Sequence, residues 1–183
     1  RDTAGYGWGV GSSALGFTKA LALNTTSAPA TETVQWNDTA PSSTLITLGS
    51  DNGNNKSGDD YICYAFHSVD GFSQFGKYSG NGAADGTFVY TGFQPGWILI
   101  KSVSTATPWM LFDTKRDTHN STINYLLPYT NAAEAAATAG TNSIDLYSNG
   151  FKLRGGHADM NANNVEHFYM CFAETPFKYS NAR

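Results

Sequence analysis

The chain has 183 residues and is 40% hydrophobic, enough for one large packed domain or two small ones. A net charge of −4 with no Lys/Arg-rich stretch argues against nucleic acid as a partner, and no run reaches the roughly 18 apolar residues of a membrane-spanning helix. Aromatic and charged residues balance at 14% each, and 19 glycines amid many Thr, Ser and Asn predict a rigid β protein with polar loops.

In chain order, Thr44–Leu48 and Tyr61–Phe66 are the first predicted strands. Phe88–Tyr90, Trp97–Ile100, Trp109–Phe112, Ile123–Leu127 and Ile144–Tyr147 follow. Gly150–Arg154 alternates cleanly, so Phe151 and Leu153 should face inward while Lys152 and Arg154 face water. Tyr169–Glu174 is a nearly unbroken apolar run, as in a strand covered on both faces. Asp70-Gly71, Asp85-Gly86, Gln94-Pro95-Gly96 and Ser148-Asn149-Gly150 supply the turns. Strands at this spacing indicate a sandwich or barrel. The alanine-rich stretch Asn131–Gly140 reads equally as one short helix or a loop.

The sequence repeats itself. Tyr61-Ile62-Cys63-Tyr64-Ala65-Phe66 returns as Tyr169-Met170-Cys171-Phe172-Ala173-Glu174, Trp8 returns as Trp109, and Leu48 as Leu153. Lys77-Tyr78-Ser79 returns as Lys178-Tyr179-Ser180. A repeat of this length is a whole small domain. The first copy lacks counterparts of Lys77–Asn81, Thr87–Thr91 and Gly96–Lys101, so residues 1–74 are expected to be the later part of a module whose start is missing. Residues 75–183 then form a complete second module. Cys63 and Cys171 occupy equivalent positions, which places them in separate cores as free, buried thiols. Trp8 and Trp109, recurring between copies, read as core framework.

Four chemistries compete for the polar residues. Asp159, Asn161 and Asn163 present oxygen ligands at alternate positions, as calcium loops do, but the sixth position is Asn164 and the twelfth Met170. Asp51–Asp60 is a second such loop and carries Lys56. His67, His119, His157 and His167 share no ligand spacing and read as surface or loop residues. Asp113 with Asp117, or Asp59 with Asp60, could form an acid–base pair, although Lys115-Arg116 makes the former simpler to read as a charge-balanced loop. Sugar binding needs an exposed aromatic face beside polar groups. Trp36, Asn37 and Asp38 at one polar turn, with Tyr129, are the candidates. Asn24, Asn37, Asn55 and Asn120 head Asn-x-Ser/Thr triplets, which matter only in a secreting eukaryote.

As a set, Phe75–Gly82, Asp85–Phe93, Pro95–Lys101, Trp109 through Asp113-Thr114-Lys115-Arg116-Asp117, Ser148–Arg154 and Phe172–Tyr179 resemble a tandem module of tailed-bacteriophage virion appendage proteins. The resemblance covers essentially the whole chain. It implies tandem jelly-roll or lectin-like β-sandwiches, a place in the virion after synthesis in the bacterial cytoplasm, and homotrimeric assembly. The expected function is adhesion of a tail-fibre or appendage tip to a host-surface glycan, without catalysis. The alternatives are a purely structural module of capsid, fibre shaft or baseplate, and a polysaccharide depolymerase. The resemblance carries over no cofactor, and calcium is the one ion the loops leave open.

Overall fold

The computed structural model describes residues 5–177. Its paired strands are β1 (Gly9–Val10), β2 (Lys19–Ala22), β3 (Ala30–Thr31), β4 (Ser73–Ser79), β5 (Asp85–Tyr90), β6 (Pro95–Ser102) and β7 (Met110–Asp113). β8 (Asn124–Tyr125), β9 (Ala135–Ala136), β10 (Ser143–Tyr147), β11 (Gly150–Arg154), the short helix α1 (Ala158–Asn161) and β12 (Glu166–Ala173) complete the order. The chain is an all-β protein with several antiparallel sheets.

One sheet runs β4-β12-β6-β7 and a second β10-β11-β5. Their facing sides share a core. Ile98 and Ile100 of β6, Phe112 of β7, and Tyr169 and Cys171 of β12 meet Val89 of β5, Ile144 of β10, and Phe151 and Leu153 of β11. The alternate residues point the other way, as the two-residue period of a strand requires. Leu99, Trp109 and Phe168 emerge on the outer face of the four-stranded sheet. There the small sheet β1-β2-β3 covers them through Val10, Leu15, Leu21 and Leu23, and Trp109 Nε1 donates to Ala22 O at 3.0 Å. This double cover explains why β12 is apolar at nearly every position.

The two copies of the repeat fare differently. β12 pairs along its length with β4 on one side and β6 on the other. Its counterpart Tyr61–Phe66 forms no strand, and Ile62 and Tyr64 are 70% and 67% exposed. The predicted strand Thr44–Leu48 is likewise absent, with Leu45 70% exposed. An apolar run becomes a strand only when neighbours take up its amides and carbonyls, and among the described residues no strand flanks these two. Cys63 is therefore exposed, not buried as its equivalence to Cys171 predicts. Cys171 does lie in the core, where burial pushes its thiol up to about 12. Neither thiol forms a disulfide. Trp8, read as framework, is 58% exposed whereas Trp109 is fully buried. β4 opens at Ser73, so the expected boundary between residues 74 and 75 falls inside a strand. The alanine-rich stretch contains β9, a two-residue strand paired with β8, and no helix. The returning Lys178-Tyr179-Ser180 and Arg1 lie outside the described residues.

Two cationic or ionisable side chains are built into the layers. Lys101 is fully buried, and its Nζ donates to Thr107 O at 2.8 Å and to Thr26 O at 3.2 Å, tying the amino-terminal layer to β6. Burial lowers its pKa to about 8 from the usual 10.5, against a weaker opposing effect of Asp159. His167, expected at the surface, is also fully buried, stacked on Tyr78 with ring centroids 5.2 Å apart. Burial holds its pKa below the usual value, which keeps the imidazole neutral.

The Lys101 shift fixes a sign. A base whose folded-state pKa is depressed imposes a full penalty below that pKa, relieved as pH rises toward the unfolded value. Unfolding free energy is therefore expected to rise by about 2 kcal/mol between pH 8 and 10 from this group. Urea denaturation across that window measures it, and the rise should be missing in Lys101→Met.

Candidate functional site

The residues after β7 build a densely hydrogen-bonded loop. The Asp113 carboxylate folds back on the chain: Oδ1 accepts the amides of Lys115 and Arg116, each at 2.9 Å, and Oδ2 pairs with Arg116 Nε at 2.8 Å. Aspartate at the head of such a turn is favoured because its short side chain reaches amides two and three residues on. Asp117 closes the next turn, with Oδ2 accepting Ile123 N at 2.8 Å and Asn124 N at 2.7 Å, and Oδ1 accepting Asn124 Nδ2 at 2.6 Å. Both carboxylates of the suggested acid–base pair are thus engaged in holding loops. Asn120 extends the second sheet by proxy: its Nδ2 donates to Leu146 O at 2.9 Å and its Oδ1 accepts Leu146 N at 2.8 Å. Thr122 pairs through its backbone with Ile144, at 2.8 and 3.1 Å.

Between this loop and the end of β12 lies a recess of about 330 Å³. Thr122, Leu146, His119, Gln94, Lys115 and Glu174 are among the residues that line it. Glu174 accepts from Thr114 Oγ1 and from Lys115 Nζ. The Lys115 contact, then that of Thr114, holds the Glu174 carboxyl below the usual range. Gly96 permits this approach, since a Cβ there would stand 2.6 Å from Glu174 Cα. His119 Nδ1 lies 2.9 Å from Thr118 Oγ1. The Thr122 hydroxyl is the exception to this economy. Thr122 is 1% exposed, and its Oγ1 has no hydrogen-bond partner.

The sequence candidates stand elsewhere. Trp36 is half-buried, edge-on to Phe17 with centroids 6.2 Å apart, and a Cβ on Gly11 would lie 2.9 Å from its ring. One of its faces is thereby used for packing. Asn37 and Asp38 are exposed turn residues with φ of 51° and 49°. Tyr129 packs against the outer face of the four-stranded sheet. None of the four lines the recess. Of the calcium-loop residues, Asp159 and Asn161 belong to α1, and Asn163 follows it on the surface. Asn161 is fully buried, its Oδ1 accepting Asn81 N at 3.0 Å and its Nδ2 donating to Gly155 O at 2.8 Å and Ala83 O at 3.1 Å. Its carboxamide is a tie between loops. Among the described residues no three His, Cys, Asp or Glu side chains group as a metal site would require.

The recess residues escape sequence reading because they come from positions 94, 114–122, 146 and 174, joined only by the sheet register. The one available signal was the polar run Asp113–Thr122, dense in short hydrogen-bonding side chains.

These features define an all-β module with a polar recess assembled from loops at the strand ends. The chain belongs to the family described as Domain of unknown function (DUF7483), whose model matches residues 1–176. No curated protein and no solved structure matches it.

Asn161→Ala is expected to cost about 2–4 kcal/mol, because Asn81 N and the carbonyls of Ala83 and Gly155 lose a partner inside the fold. Chemical denaturation measures the loss, and added calcium should not restore it.

Proposed function

We propose that the chain is an adhesion module of a tailed-bacteriophage appendage, a tail-fibre tip or its equivalent, that binds a host-surface glycan as part of a homotrimer. The supporting observation is the recess: a concave, polar, loop-built surface on a rigid β scaffold, where a sugar's hydroxyls can be met by hydrogen-bonding side chains. The facing sheets support reading residues 75–183 as a lectin-like sandwich, and the repeat supports a tandem arrangement with residues 1–74. The virion setting rests on the sequence resemblance. Weak single sites suit such an appendage, because three tethered copies raise the effective affinity without new contacts.

A second reading, a structural module without a ligand, is favoured by a different observation. Leu45, Ile62, Tyr64 and Phe66 are 57–70% exposed, an apolar surface of the kind buried in assemblies. In that reading these residues are covered by neighbouring virion subunits and the recess is unused.

Binding of the assembled, fluorescently labelled chain to cells that the parent phage adsorbs to separates the two. Adhesion is expected to give surface labelling that polysaccharide purified from the same cells displaces. Labelling that the polysaccharide leaves unchanged, or no labelling at all, would overturn the adhesion reading.

A further inference from the structure

We propose that β1 and the segment Tyr61–Phe66 form the acceptor for a strand of the β6 type, donated by another module of the same repeat. The donated strand is apolar, in the pattern of Gly96-Trp97-Ile98-Leu99-Ile100-Lys101. The repeat extends from the sequence into the hydrogen-bonded ladders. Val10 pairs with Leu21, and their counterparts Leu111 and Leu126 pair with each other. Lys19 pairs with Thr31 and Ala20 with Ala30, as Asn124 does with Ala136 and Tyr125 with Ala135. Val10 and Leu111 keep the spacing of Trp8 and Trp109, and the other counterparts keep that of Leu48 and Leu153. The ladder β1-β2-β3 is thus the ladder β7-β8-β9 built a second time.

In the second copy β6 lies between β7 and β12 and pairs with both. The first copy holds the counterparts of those two neighbours, β1 and Tyr61–Phe66. β1 is the edge of its sheet, and Tyr61–Phe66 pairs with no strand among the described residues. Burial follows the pairing. Trp8, Leu48 and Cys63 are exposed, whereas their counterparts Trp109, Leu153 and Cys171 are fully buried. A contiguous apolar surface of this kind marks the place of a partner. The registers of β6 carry over to that partner. Leu99 stands between Leu111 and Met170, so the donated residue at its place stands between Val10 and Ile62. The residue at the place of Ile98 stands between Gly11 and Cys63. Main-chain hydrogen bonds to both sides give such an added strand its affinity.

The chemistry of the occupant follows from what β6 does. It is apolar on both faces: Ile98 and Ile100 enter one core and Leu99 the other. The chain's own β6 cannot serve, because β7 and β12 already bond both its edges. The edge strand β4 of a second copy is a poorer donor. It carries the exposed Lys77, and a lysine on an edge strand opposes further pairing. The acceptor is a surface for protein, apart from the recess, so it stands or falls independently of glycan adhesion.

The test adds a synthetic peptide of residues 95–102 to the intact chain and follows amide hydrogen exchange. Ile62–Phe66 and Gly9–Gly11 are expected to exchange at least about tenfold more slowly with the peptide bound. A peptide of the same composition in scrambled order should leave them unchanged. Cross-linking reads the register. Residues directly opposite on antiparallel strands bring their Cβ atoms to about 4.5–5.5 Å, near the reach of a disulfide. In a glutathione redox buffer, the peptide carrying Ile98→Cys should couple to the exposed Cys63. The peptide carrying Leu99→Cys should not, because its side chain points to the opposite face. Ile62→Asp in the chain, at a position 70% exposed, should leave the thermal midpoint unchanged and weaken the peptide at least about tenfold. The inference is overturned if the peptide protects neither segment, if it protects the edge of β4 instead, or if the scrambled peptide does as well. Equal coupling of the two cysteine peptides would overturn it too, as would full peptide affinity in Ile62→Asp. Protection of Ile62–Phe66 that grows with chain concentration alone would assign the surface to a second copy and not to a donated strand. Cell labelling tests adhesion separately, and neither result decides the other.

Discussion

Everything in the described fold depends on β12 being hydrogen-bonded on both edges. β4 and β6 take up its amides and carbonyls over nearly its whole length, and only then can its side chains divide between two cores. His167, Tyr169 and Cys171 go to the inner face, Phe168 and Met170 to the outer one. The outer face in turn recruits the amino-terminal layer through Trp109 and Leu21. Glu174, one residue past the strand, reaches the recess because its amide is held by Gln94 O at 2.9 Å. Site and core thus hang on one strand.

The repeat provides an internal control for that statement. Tyr61–Phe66 and Tyr169–Glu174 share their Tyr-x-Cys-aromatic-Ala pattern, yet one is irregular and exposed and the other is a central strand. Intrinsic β preference is the same for both to a first approximation, so tertiary pairing decides the outcome. Phe66 shows how partial the alternative is: it touches Phe75 and Phe172 at the edge of the four-stranded sheet while remaining 57% exposed.

Several strands of residues 85–173 were legible because apolar patterning survives wherever a sheet has covered faces: the alternating Gly150–Arg154 and the unbroken apolar run Trp97–Ile100 both fall inside observed strands. Two features hid the rest. Equivalence between copies predicts the same environment only if the same neighbours are present, which is why Cys63 and Trp8 went astray. Buried polar residues also carry no local signature. Lys101 and His167 lie in strand positions whose burial follows from layers stacked above them, and Asn161 looks like a metal ligand until its four loop contacts are seen. The recess was illegible for a related reason: Thr122 and Glu174 are neighbours through the sheets and not through the chain. What the sequence did mark was the loop Asp113–Asp117, whose aspartates turned out to be its scaffolding.

Native-state amide hydrogen exchange tests the central dependence on two-sided pairing most directly. If it is right, the amides of Tyr169–Phe172 exchange only through global unfolding while those of Ile62–Phe66 exchange within the experimental dead time. Comparable protection in the two segments would contradict it, since the first copy would then be a paired strand in its own right.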